Sequence, residues 1–187
     1  MKPQTVILDA NILFPAPLRD FFMHLAIFGA IQARWSEQIE AEWTRNLIAK
    51  RPDLDPTRVY RTAARMNAAI PDAFVTDFES LESNLVLPDP NDCHVLAAAI
   101  KAGADVIITK NLRDFPQDIV GAFEIKVVHP DEFVHQLLNL EPELVVQAIQ
   151  AMQTALKNPP QTMLEVLVTL EQQELPLTAN WLCNVLT

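Results

Sequence analysis

The sequence predicts an α/β protein: a three-layer α/β/α sandwich around a mostly parallel sheet, followed by a small helical extension. Three observations carry that expectation. Short runs rich in β-branched residues, such as Thr5 to Leu8 and Val106 to Thr109, alternate with longer segments of helical periodicity. Acids and amides follow the ends of those runs: Asp9 and Asn11 after the first, Asn111 and Asp114 after the second. From residue 131 onward the pattern turns wholly helical, which divides the chain into a unit at 1–130 and an extension at 131–187.

Thr5-Val6-Ile7-Leu8 has the character of a buried parallel strand. Asp9 therefore stands at its carboxyl end, where open α/β sheets gather ligands, although the same residue can cap the next helix. Pro17 opens a helix through Phe28 whose Leu18, Phe21, Phe22 and Leu25 share one face, and Gly29 ends it. Ser36 is placed to cap a second helix reaching Ala49, with Ile39, Trp43 and Leu47 on the buried stripe. Glu40 and Glu42 flank that stripe, and helical spacing leaves the two equal. Asp55 and Pro56 start a third helix, 57–69, which carries Arg58, Arg61 and Arg65 in a row.

A short strand at 73–76 and a brief helix at 78–84 come next. Asp89-Pro90-Asn91-Asp92 then has the chemistry of a helix start: an N-cap acid, a proline in the first turn and a second acid near the positive end of the helix dipole. The Ala-rich helix it opens ends at Gly103, and strands at 106–109 and 124–128 follow. Helical segments at 131–139, 142–156, 162–173 and 178–186 complete the chain.

A net charge of −10 argues against a uniformly basic nucleic-acid binder. The charge is uneven, however. Within 34–65, Lys and Arg outnumber acids seven to five, which makes this stretch the expected phosphate-facing surface, with Arg45, Arg58, Arg61 and Arg65 as its contacts. No apolar run approaches the roughly 18 residues of a membrane span, and the N-terminus lacks a signal-type pattern. Cys93 and Cys183 fit no metal spacing and are expected as reduced thiols. The expectation is a cytoplasmic protein with no membrane partner.

Only three glycines occur, so no Walker or GxGxxG phosphate cradle is present, and no GxSxG nucleophile elbow appears. His24, His94, His129 and His135 lack metalloprotease spacing and are expected at the surface or in hydrogen bonds. What remains is a set of carboxylates on separate elements. Such oxygen-only sets hold hard cations, Mg²⁺ or Mn²⁺, beside a phosphate.

VILDANILFPAPLRD, RWSEQIEAEWTRNL, LPDPNDCHVLAAAIKAGADVIITKNLRDFP and VVHPDEF, in this order and spacing, resemble the PIN-domain family, especially VapC-like ribonuclease toxins with a C-terminal helical extension. The resemblance covers about residues 1–135. It implies Asp9, Asp92 and Asp114 around Mg²⁺ or Mn²⁺, with Glu42 completing the catalytic set. Glu42 is preferred over Glu40 because the glutamate directly before the tryptophan matches the family's position. Asn11, Asp89, Thr109 and Asn111 become accessory groups, and Asn111, where many relatives carry Asp, reduces the charge available to a second metal.

The implied activity is hydrolysis of an RNA phosphodiester by metal-activated water, with single-stranded RNA approaching along 34–65. A small antitoxin and a homodimer are the implied partners. Two other possibilities stay open: a nuclease of RNA processing or DNA that is not a toxin, and a non-catalytic PIN-like binding module whose acids serve as caps. A phosphatase of the haloacid-dehalogenase type, suggested by LDAN, wants a second Asp where Asn11 stands.

Overall fold

The computed structural model describes residues 2–186. In chain order the elements are β1 (Gln4–Leu8), α1 (Ala10–Leu13), α2 (Ala16–Ile27), β2 (Ile31–Ser36), α3 (Glu37–Lys50), α4 (Pro56–Ala69), β3 (Phe74–Val75), α5 (Glu79–Glu82), α6 (Cys93–Ala102), β4 (Val106–Ile108), α7 (Gln117–Val120) and β5 (Lys126–Val128). Four helices close the chain: α8 (Pro130–Leu140), α9 (Pro142–Ala155), α10 (Met163–Gln172) and α11 (Pro176–Leu186). Short 3-10 turns lead into β3 and α6.

The five strands form one parallel sheet in the order β3-β2-β1-β4-β5, flanked by helices, as the α/β/α expectation requires. Strand β2 is the strand the sequence pattern did not yield, and it did not yield the one-turn helices α1 and α7 either. Ile31, Ala33 and Trp35 are buried while Gln32 and Arg34 are half-buried, so the stretch alternates with period two. Its polar positions hid it from a search for continuous apolar runs. Thr5 Oγ1 donates to Gln32 Oε1 at 3.1 Å, which gives one of those polar side chains a partner across the β1–β2 pair.

Strands β1 and β4 lie inside the sheet, and Val6 to Leu8 and Val106 to Ile108 are apolar and buried, since helices cover both faces of the sheet. Trp35, Trp43, Phe21 and Phe22 are fully buried, each contributing about 1.5 to 3 kcal/mol through removal from water. Strand order reverses between β1 and β4, and parallel sheets open a crevice beyond the carboxyl ends of strands at that point. Asp9 and Thr109 follow those two strands directly.

Core residues are continuous from the sheet into the C-terminal helices, with Phe133, Val145, Ile149 and Leu170 in the same buried cluster as Ile7 and Leu25. Asp131 fastens the last helix. Only 4% exposed, its carboxylate accepts from the Leu177 and Thr178 backbone N–H groups at 2.9 Å each, satisfying the first turn of α11. Asp131→Ala should therefore cost about 2 to 3 kcal/mol of unfolding free energy in urea, because it strands buried donors as well as losing a cap. A loss within error of zero would disprove the fastening role. Among the described residues no helix is long and apolar enough to cross a membrane.

Candidate active site

The β1–β4 register, Leu8 opposite Ile108, carries Asp9 and Thr109 out of the sheet side by side. Asp9 is 5% exposed and acts as the N-cap of α1, accepting from Ala10 N–H at 2.6 Å. Its other oxygen accepts from Thr109 Oγ1 at 2.7 Å and from Asn11 Nδ2 at 2.5 Å. Asn11 also donates to Thr109 Oγ1 at 2.9 Å, and its carbonyl accepts from the Lys110 N–H at 3.0 Å. Asn11 and Thr109, two of the four residues expected as accessory groups, thus hold the Asp9 carboxylate and tie the β1 loop to the β4 loop.

Ser36 caps α3 through the Ile39 N–H, and α3 then carries both glutamates past the crevice. Here the structure separates what helical spacing could not. Glu40 accepts from Asn67 Nδ2 at 2.8 Å, and Asn67 Oδ1 in turn accepts from Trp35 Nε1, a chain that joins α3, α4 and β2. Glu42 faces the other way, with its Oε2 3.5 Å from His94 Nε2 on α6. Trp43, fully buried beside it, lies under the Arg19 guanidinium at 4.9 Å. Arg19 donates to the Leu13 carbonyl at 2.8 Å and so braces α1, which Asp9 begins, against the helix bearing Glu42.

The opening of α6 assigns different work to its two acids. Asp89 caps the 3-10 turn, accepting from Asn91 N–H and Nδ2 at 2.9 Å each. Asp92 occupies the N-cap position of α6 without a side-chain capping bond, so helix-start chemistry does not consume its carboxylate. Asp114 comes from the turn after β4 and accepts from Asn111 Nδ2, while Asn111 N–H donates to Thr109 Oγ1 at 3.0 Å.

Electrostatics bind these positions into one site. Burial pushes the Asp92 carboxyl up to about 7, helped by the negative charges of Asp9, Asp114, Asp89 and Glu42. Burial likewise pushes Asp9 up to about 6, with repulsion from Glu42 adding to it and the Thr109 hydrogen bond opposing it. Beside them runs a groove of about 580 Å³ whose lining includes Glu42, Arg45, Asn46, Asp89, Asp92 and His94.

The structure therefore brings Asp9, Glu42 and Asp114 within electrostatic reach of Asp92, with Asn11 and Thr109 bonded to Asp9, Asn111 bonded to Asp114 and Asp89 capping the turn that ends at Asp92. Of the arginines expected to meet phosphate, Arg45 lines this groove. Arg58 lines a second groove between α2, α3 and α4, with Phe14, Trp43 and Lys50. Arg61 and Arg65 are exposed on α4 and line neither. His94 is the site residue the sequence pattern missed. Its signal was available: it is the lone polar side chain in the CHVLAAAI run that the helix buries.

Among the described residues, no three Asp, Glu, His or Cys side chains form a ready-made metal-ligand group. The donor chemistry nevertheless fits a hard cation. Mg²⁺ is commonly bound through one or two carboxylates, with water and phosphate oxygens completing its octahedron. Asp9 and Asp92, buried and half-buried carboxylates that make no ion pair among the described residues, meet that description.

A parallel α/β/α sandwich with clustered carboxylates at its topological switch point defines the class of protein. A PIN-domain family model matches residues 5–113, and a model described as the VapC50 C-terminal domain matches residues 130–184. The chain belongs to the PIN-domain family. It is 36% identical over 110 residues to a protein of Mycobacterium tuberculosis (strain ATCC 25618 / H37Rv) named "Putative ribonuclease VapC50". That match covers 57% of this chain and 65% of the relative, so the chain spans just under two thirds of the relative's length. No solved structure matches the chain significantly.

Proposed function

We propose that this chain is a Mg²⁺- or Mn²⁺-dependent endoribonuclease, the toxin of a toxin-antitoxin pair, acting in the cytoplasm. The observation that carries this is the convergence of carboxylates from four separate elements, with Asp9 and Asp92 held high by burial and repulsion. Evolution rarely retains such a cluster for stability alone, since like charges brought together in a crevice cost folding free energy. The relative's name supports the choice of RNA.

In this account Asp9, Asp92 and Asp114 hold the cation, and Glu42 orients the attacking water and accepts its proton. When bound, the cation offsets charge on the phosphoryl oxygens and acidifies water. Thr109 and Asn11 keep the Asp9 carboxylate aimed, Asp89 and Asn111 fix the two turns, and Arg45 meets a phosphate of a single strand lying in the groove. Arg58, Arg61 and Arg65 extend the basic track along α4, with salt weakening the interaction. A small antitoxin would silence the enzyme by covering the groove, and the active unit is a homodimer.

Cleavage of single-stranded RNA should require Mg²⁺ or Mn²⁺ and cease in EDTA. Glu42→Gln should slow it by about a hundredfold, as expected for loss of a general base. Glu40→Gln should leave cleavage near wild type and cost about 1 kcal/mol of stability through the Asn67 bond. Folded wild type that binds neither ion and cuts no RNA would refute the proposal.

A further inference from the structure

We infer that His94 is a positioning residue for Glu42, holding that general base inward beside the cation that Asp9, Asp92 and Asp114 would hold, where its negative charge adds to the cation's affinity; this rests on the nuclease reading above. His94 lies on the first turn of α6, two residues after Asp92, and Glu42 lies on α3, so their contact joins the two helices that flank the groove. Nε2 of the ring is 3.5 Å from Glu42 Oε2. The ring is buried, and its Nδ1 has no hydrogen-bond partner, so its polar contact is directed at Glu42.

Glu42 needs such a hold. Its side chain is 32% exposed, and His94 is the one basic side chain in ion-pair range of its carboxylate among the described residues. The negative charges of Asp9 and Asp92 repel it, so a free glutamate with three torsions would turn out to solvent before a cation arrived. A ring nitrogen 3.5 Å from Glu42 Oε2 is close enough to attract the carboxylate and keep it inward in advance, at the expense of leaving Nδ1 buried and unpaired. A histidine placed for packing alone has no need of that arrangement, because a leucine or phenylalanine fills the space without an unsatisfied nitrogen. Outer-shell partners of this kind characteristically tune cation affinity by about tenfold to a hundredfold.

The test compares wild type, His94→Phe, His94→Gln, Glu42→Gln and the His94→Phe/Glu42→Gln double variant. Mn²⁺ binding is read by calorimetry without RNA, and cleavage is titrated separately in Mn²⁺ and in RNA. His94→Phe, which keeps a ring in the pocket and deletes that nitrogen, should weaken Mn²⁺ binding about tenfold and leave the KM for RNA unchanged. His94→Gln, which retains an N–H donor, should recover most of the loss. In the Glu42→Gln background the Phe substitution should have no further effect. Unchanged Mn²⁺ affinity in His94→Phe, or an equal loss with and without Glu42, would make His94 a packing residue and overturn the inference. Wild type that binds no Mn²⁺ would instead overturn the nuclease reading, and this inference with it.

Discussion

Asp92→Asn should slow RNA cleavage by a factor on the order of a hundred to a thousand, the usual cost of deleting one preorganised electrostatic group from an active site. The same substitution should raise the melting temperature of the metal-free protein at pH 8. Both follow from one fact: Asp92 makes no capping bond, and its carboxyl is pushed up to about 7 by burial and by Asp9, Asp114, Asp89 and Glu42. Asparagine keeps the shape and removes the charge, so the fold loses a repulsion while the site loses a ligand. Asp89→Ala provides the contrast. Asp89 accepts two hydrogen bonds from Asn91, so its loss should lower stability with a far smaller effect on cleavage. Single-turnover cleavage in Mn²⁺ and melts in EDTA measure the two arms. An Asp92→Asn protein that is within tenfold of wild type in rate, or less stable than wild type at pH 8, would remove Asp92 from the proposed site.

The residues that were legible in the sequence are those whose role is local. Thr5 to Leu8, Ser36 as a cap, Asp55-Pro56, the Asp89 turn and Gly103 each act within a few residues of themselves, and each lies where its local chemistry demands. Gly103, at φ 57°, is the left-handed terminator of α6 that glycine tolerates best. Strand β2 was not legible because its identity comes from neighbours: Gln32 is bonded across the sheet by Thr5, and both Gln32 and Arg34 keep partial exposure. The same distinction governs the site. Helical spacing within α3 does not tell Glu40 from Glu42, and the family resemblance picks Glu42 only by its place before Trp43; the physical difference is Asn67 on one side and His94 on the other, both distant in the chain. Arg19 and His94, buried polar residues inside apolar helices, read as irregularities in the pattern until the structure supplies Leu13, Trp43 and Glu42 as their partners.

Metal-free protein should lose stability as pH rises through 6 to 7, and Mg²⁺ or Mn²⁺ should restore it. The sign comes from proton uptake. The Asp9 carboxyl lies at about 6 in the folded chain against an ordinary value of 3.8, so the native state binds the proton more tightly than the unfolded state. Its contribution is fully present below about pH 4 and is lost as pH climbs through 6. For this buried group the difference is worth about 3 kcal/mol. Asp92, raised to about 7, extends the loss to higher pH, although the two repel each other and their effects do not simply add. A bound cation reverses the argument, because it favours both carboxylates ionised. At a hundredfold excess over its dissociation constant it adds about 2.7 kcal/mol, more at pH 8 than at pH 5, where protons compete for the same oxygens. Urea unfolding at pH 5 and pH 8, each in EDTA and in Mn²⁺, gives four free energies. The expected pattern is the lowest unfolding free energy at pH 8 with EDTA. Equal stability in EDTA at both pH values would mean that Asp9 and Asp92 ionise without strain, and the clustered acids would then be the caps and surface groups that local chemistry alone explains.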